Sequence, residues 1–267
     1  MAIWAQLSEA QNGQLIDNLA RAFHLARAKA RAALIAMVGE LVNCIDGQTV
    51  SQSQLARLVE VLGQGVHEQV LDTPTLLGTT STQVIGSDAL AIIAGRDESK
   101  RIVEQSAAAA DISMMIAEYL LPVITTLLVG ALARETRGKL VSLSTGEPVI
   151  EEPPSDTTGG GLQLPLAVGT ASFSGSVGGS LRVAGNQAAA SHYDEIAAAI
   201  RGTGRLPGKP DAAIAVRRII AAGLGVPLGP AGWIVRLQRW GAEAINTVHT
   251  ELRRRLRAVR ERGPDER

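Results

Sequence analysis

The side chains that most often carry chemistry are few in this chain of 267 residues, and they stand far apart. The four histidines have no His-x-x-x-His or Cys-x-x-Cys partner, so a tetrahedral metal site has little support. Only His67 has an acidic neighbour, Glu68. Adjacent residues on a helix point in different directions, so we interpret this pair as two surface side chains and not as a metal or acid–base site.

Two further reactive side chains lie among apolar neighbours in the sequence. Glu118 is expected to be solvated or paired with an arginine; the alternative is a functional acid that works with a histidine brought near by the fold. Cys44 is the single cysteine and has Leu41 and Ile45 on its side of a predicted helix. No histidine or basic residue flanks it to stabilise a thiolate, so we expect a small core residue in a reducing cytosol.

Residues 202–210 imitate a phosphate-binding loop, but the motif is incomplete. The spacing of its glycines is wrong, and Pro210 stands where a serine or threonine would hold magnesium. An ordinary basic connector between helices is the simpler interpretation. The sequence therefore predicts no catalytic residue, no metal ligand and no bound cofactor, which favours a protein that is not an enzyme.

The basic end of the chain is the strongest candidate for an interaction site. Residues 1–134 carry 9 basic and 13 acidic groups, residues 135–190 carry 3 and 5, and residues 191–267 carry 14 and 8. The last of these segments has a net charge of +6 within a chain of net charge zero. The predicted interaction residues share one long apolar and basic helix: Trp233, Leu237, Trp240, Val248, Leu252, Arg253, Arg254, Arg255, Arg257 and Arg260.

Several explanations of this basic helix stay open. Arginine complements the dipole at a helix C-terminus and keeps a helix face solvated, but arginine clusters also bind phosphates. Trp233 and Trp240 near Arg236 and Arg239 match the composition of a helix at a membrane surface. The apolar stripe would pack equally well against a partner helix. The acidic N-terminal part of the chain is another possible partner.

The elements around these residues are predicted to be helical, with one interruption. Residues 1–134 form a helical domain, residues 135–190 a flexible connector or small β insert, and residues 191–267 a C-terminal helical segment. The connector is rich in Gly, Pro and Ser, and residues 139–144 and 162–168 alternate enough to form a hairpin. Residues 72–82 are predicted as a loop before a short helix over 88–94. The fold class is all-α, a multihelical array of hairpins.

The most apolar window, residues 119–133, is predicted to be a buried core helix. It is shorter than the roughly 20 residues that cross a bilayer as a helix. Pro122 fits either the first turn of this helix or a kink within a longer helix that begins near Ser113.

Residues 14–134 resemble the bacterial YidB-like family, a domain family of unknown function. The resemblance rests on the Ala-rich helix 26–45 and the Ser-led helix after it. It also rests on the run GSDALAIIAG at 86–95, the four alanines at 107–110, and the step from Leu-Leu-Pro at 120–122 into the apolar residues 127–132. It implies an all-helical domain of a bacterial cytosolic protein and brings no catalytic residues with it.

The function that these observations favour is protein–protein interaction or self-assembly, with a homo-oligomer as the expected state. The alternative is attachment to an anionic membrane surface or a nucleic acid through the basic helix. The first residues lack the features of a secretory signal, so a cytoplasmic location is expected.

Overall fold

The computed structural model describes residues 2–146, 187–203, 206 and 211–225. Every regular element within these residues is helical, which confirms the all-α fold class. The elements in chain order are α1 Ala2–Gly13, α2 Leu15–Ala22, α3 Arg27–Gln48, α4 Gln52–Gly63, α5 Val66–Asp72, the 3-10 helix η1 Pro74–Leu76, α6 Thr80–Ile93, α7 Gly95–Ala110, α8 Met114–Thr145, α9 Gln187–Ile200 and α10 Ala212–Leu224.

Helix α8 forms the centre of the described fold. Helices α1, α3 to α7, α9 and α10 all contact it. Its N-cap is Ser113, whose hydroxyl accepts from the backbone N–H of Ile116, and Pro122 lies inside the helix. The second interpretation of Pro122, a position within a longer helix, is therefore the correct one.

By length and composition alone α8 could cross a membrane, but its packing is that of a core helix. In the apolar window that passes this test, 78% of the residues are buried inside the protein. The prediction of a buried core helix over 119–133 is confirmed, and the helix extends well beyond that window at both ends.

Two glycines let neighbouring helices approach the backbone of this core. A Cβ atom placed at Gly86 of α6 would lie 2.0 Å from the carbonyl oxygen of Pro122. A Cβ atom at Gly130 of α8 would lie 2.5 Å from the carbonyl oxygen of His67 in α5. Contacts under about 3 Å leave no room for a side chain, so α5 and α6 pack against α8 through bare backbone.

The C-terminal part of α8 corrects one prediction. Residues 139–144 are helical and not a strand, because α8 continues to Thr145 and ends at Gly146 with a left-handed φ of 73°. Leu140 and Leu143 are both buried, and their spacing of three positions suits a helix face. The alternation that suggested a strand came from the polar residues Lys139, Ser142 and Ser144. The other proposed strand, 162–168, lies outside the described residues.

The described helices after the connector pack onto those before it. Helix α9 contacts α4 and α8, and α10 contacts α8. A Cβ atom at Gly63 would lie 2.6 Å from the Cβ atom of Tyr193, so α9 approaches the end of α4 closely. All of these helices belong to one compact unit, Met1–Leu224. The boundary placed at residue 134 falls inside α8, and residues 147–186 lie outside the described part of the chain.

Candidate functional site

A cluster of polar side chains, of which Glu68 and Tyr193 are buried, joins α5, α8 and α9. Glu68 is only 9% exposed and pairs with the guanidinium of Arg137 across the interface between α5 and α8. Tyr193 of α9 is buried beside both and shares a hydrogen bond with Arg137. Burial raises the pKa of the Tyr193 phenol to about 12, so the phenol stays protonated. The three side chains connect three helices.

His67 lies next to this cluster and is almost completely buried, with 1% of its surface exposed. Neither ring nitrogen has a hydrogen-bond partner. Burial lowers the pKa of the imidazole to about 4, which keeps the ring neutral at physiological pH. The interpretation of His67 and Glu68 as surface side chains is wrong. The short helix α5 lies against α8, and four of its residues are buried: His67, Glu68, Val70 and Leu71.

Cys44 is half-buried between α3 and α7, and its thiol is unreactive. Its Sγ donates to Oε1 of Glu98 at 3.7 Å, and Arg101 pairs with Glu98 and, at 3.1 Å, with Glu40. Burial, followed by the charge of Glu98, raises the pKa of the Cys44 thiol to about 12. The thiolate that a nucleophile or metal ligand requires is therefore disfavoured. The side chain lies at the edge of the core and not, as expected, within it.

Glu118 is exposed on the first turns of α8, in agreement with the interpretation of a solvated carboxylate. His192, unlike His67, has a polar contact: its Nδ1 lies 2.9 Å from Oγ of Ser144. Among the described residues, no group of three His, Cys, Asp or Glu side chains comes together as a metal site would.

The surface of α6 and α8 carries an exposed apolar area. Val84 is 55% exposed, Met114 45%, Met115 65% and Tyr119 60%. The side-chain amide of Gln83 donates to the carbonyl oxygen of Tyr119 at 2.7 Å, which holds the middle of α6 beside the first turns of α8. We call the four exposed apolar residues the α6–α8 patch.

The charged side chains on the parts of α6 and α8 that form the α6–α8 patch are acidic. Over residues 73–95 and 112–133 the only charged side chains are Asp88 and Glu118, and both are exposed. Asp88 follows Val84 by one helical turn, and Glu118 follows Met114 by one turn, so each carboxylate lies on the same face as an apolar member of the patch. The patch therefore combines adaptable apolar side chains with negative charge.

Sequence reasoning missed the α6–α8 patch. Residues 114–133 are apolar around the whole helix, so their periodicity does not separate the side that is buried from the side that is exposed. The predicted interaction residues all lie outside the described part of the chain: Trp233, Leu237, Trp240, Val248, Leu252, Arg253, Arg254, Arg255, Arg257 and Arg260.

A comparison with known families finds a match for the N-terminal half of the chain. Residues 5–135 match the model of a family described as "Bacterial protein of unknown function (DUF937)". This match covers the segment that resembles the YidB-like family and confirms the prediction of a bacterial domain of unknown function. No curated protein and no solved structure matches the chain.

Proposed function

We propose, from the premise that residues 5–135 belong to this bacterial family of unknown function, that the protein acts by binding protein and not by catalysis. The observation that carries the proposal is the α6–α8 patch. Four of the large apolar side chains that the described surface exposes lie on the first turns of α8 and the adjacent part of α6. Exposed apolar areas with a polar border mark sites where proteins associate.

The composition of the patch supports protein as the partner. Met114 and Met115 are unbranched and polarizable, so they adapt to the shape of an apolar surface. Tyr119 offers a large contact area at a low cost in side-chain entropy, which is why tyrosine is common among residues that dominate binding energy. Glu68 and Glu98, in contrast, each pair with an arginine, and burial raises the pKa of Cys44 and of Tyr193.

The partner that we propose is a second copy of the chain, in the cytoplasm of a bacterium. Residues 1–134 have a net negative charge and residues 191–267 a net positive charge, so one chain carries two segments of opposite sign. Opposite charges on one molecule favour association between copies, and they steer the encounter more than they determine the final affinity.

The test is the mass of the full chain in solution, measured by light scattering at low and at high salt. We expect an oligomer that persists when salt is raised, because apolar contacts are not screened while charge pairs are. A monomer at every concentration and salt would contradict the proposal. A chain that ends at Gly225 is the matched comparison, because it lacks the basic segment and keeps the packed helix α10.

A second candidate function is supported by the composition of the basic segment. Trp233 and Trp240 beside Arg236 and Arg239 match a helix that binds an anionic membrane surface, and the arginines that follow would also bind nucleic acid. This function predicts a monomer that binds anionic vesicles, DNA or RNA and releases them as salt rises. Equal retention on neutral and anionic vesicles, with no nucleic-acid shift at low salt, would exclude it.

A further inference from the structure

We infer that the α6–α8 patch is the docking surface for residues 232–262 of a second copy. This inference rests on the proposed function and names the two surfaces that meet. The patch lies within the described residues, and the properties of residues 232–262 follow from their sequence.

Charge selects this occupant over a second patch. Within residues 73–95 and 112–133, which include the members of the patch, the charged groups are Asp88 and Glu118, so two patches facing each other would bring like charges together. Lys29 lies near the start of α8, and its Nζ already lies 3.0 Å from a carboxylate oxygen of Asp111. The patch thus requires a partner that is apolar and basic.

Residues 232–262 combine these two properties. They carry 8 basic and 3 acidic groups, together with Trp233, Leu237 and Trp240 at spacings of three and four. Apolar residues at these spacings form one face of a helix, and tryptophan is the residue that most often anchors such a helix in an apolar site. The aromatic residues would pack on the exposed side chains of Met115 and Tyr119. The arginines would pair with the carboxylates of Asp88 and Glu118.

The geometry of the assembly follows from the fact that the two surfaces differ. A patch and a segment form a heterologous contact, so each copy donates one segment and accepts one. The smallest closed assembly is a dimer in which two copies exchange segments reciprocally. Such a dimer contains the same contact twice, which strengthens it beyond a single contact.

The experiment uses two variants that each lack one half of the contact. The double variant Met115→Lys with Tyr119→Lys keeps the segment but makes the patch basic. The chain that ends at Gly225 keeps the patch but lacks the segment. We expect each variant alone to associate at least ~100-fold more weakly than the full chain, and a mixture of the two to form a 1:1 complex. Light scattering of each sample and of the mixture gives both results.

A matched control changes exposed apolar residues elsewhere. Ile35 is 48% exposed and Val50 is 73% exposed, both outside the patch. The double variant Ile35→Lys with Val50→Lys should keep the oligomer of the full chain, which shows that the loss in the patch variant is local. Circular dichroism and thermal unfolding of all variants show whether each one is folded.

The possible outcomes separate the inference from the proposed function. If the full chain is a monomer, the proposed self-association and the inferred docking surface are both wrong. The same holds if the monomer covers the patch with a segment of its own chain. If the full chain is an oligomer and the patch variant keeps it, the copies assemble elsewhere and only the inference fails. If the chain that ends at Gly225 stays an oligomer, two patches meet directly and the inference fails as well.

Discussion

At the scale of single residues, the least expected feature is the burial of His67. A neutral imidazole with two unpartnered nitrogens is costly, since each polar atom loses its hydrogen bonds to water. The sequence could not show this burial, because α5 has only seven residues and is too short for a periodic pattern. The protonation state of His67 nevertheless has a measurable effect on stability.

We predict that His67 makes the protein less stable in mild acid. The pKa of the folded form is about 4 and the reference value is 6.5, so the unfolded chain binds a proton at a pH where the native protein does not. The contribution of His67 to the free energy of unfolding therefore has its full value above pH 6.5 and decreases as the pH falls toward 4. The change over this range amounts to about 3 kcal/mol.

The measurement is urea unfolding of the wild type and of His67→Leu between pH 7.5 and pH 4.5. The leucine variant should be at least as stable at pH 7.5, because it removes two unpaired buried nitrogens at nearly constant volume. Its advantage should grow as the pH falls. A difference in unfolding free energy that does not change with pH would contradict this account of His67.

At the scale of elements, the packing of α6 against α8 depends on a glycine. Gly86 is part of the run on which the family resemblance rests. A glycine is required at this position because the backbone of Pro122 leaves no room for a side chain. The helices themselves were largely predictable, since apolar spacing and turn residues indicated most of them. The start of α6 was not predicted from the sequence. The Thr and Ser cluster that suggested a loop is the N-terminus of the helix, where the hydroxyl of Thr79 accepts from the backbone N–H of Thr82.

We predict that Gly86→Ala destabilises the protein by about 2 kcal/mol or more. Its Cβ atom would lie 2.0 Å from a backbone oxygen, so relief requires α6 to move away from α8. Gly39→Ala is the control, since no atom lies within 4 Å of the Cβ position on the exposed side of α3. There alanine should stabilise by roughly 0.5–1 kcal/mol. Thermal or urea unfolding measures both, and a shift of the same sign in the two variants would refute the argument.

At the scale of the whole molecule, the compact unit is larger than the family domain. The family model ends at residue 135, but α9 and α10 bury side chains against α4 and α8. Ile196 and Ile220 are completely buried, although both follow the predicted connector. Their helical character was predictable from the sequence, while their docking was not, since apolar spacing identifies a buried face without identifying what covers it.

We predict that Ile196→Ala lowers the free energy of unfolding by about 2–5 kcal/mol, as for other large-to-small changes in a core. The loss should appear in the single unfolding transition of the whole unit, because α9 packs on the core of the family domain. Ile35→Ala is the matched control, and at 48% exposure it should cost no more than about 0.5 kcal/mol. A separate early transition that contains only α9 and α10 would show that these helices are not part of the same cooperative unit.

The docking of α9 on α4 also has a consequence for synthesis of the protein. Arg201 pairs with Glu60, 141 positions earlier in the chain, so the ribosome completes α4 and α8 long before α9 exists. At the usual rate of about 5–20 residues per second, the side of α4 that receives Tyr193 stays uncovered in the nascent chain for roughly 7–26 seconds. This face is open to chaperones that bind apolar surface until residues 187–200 emerge from the ribosome.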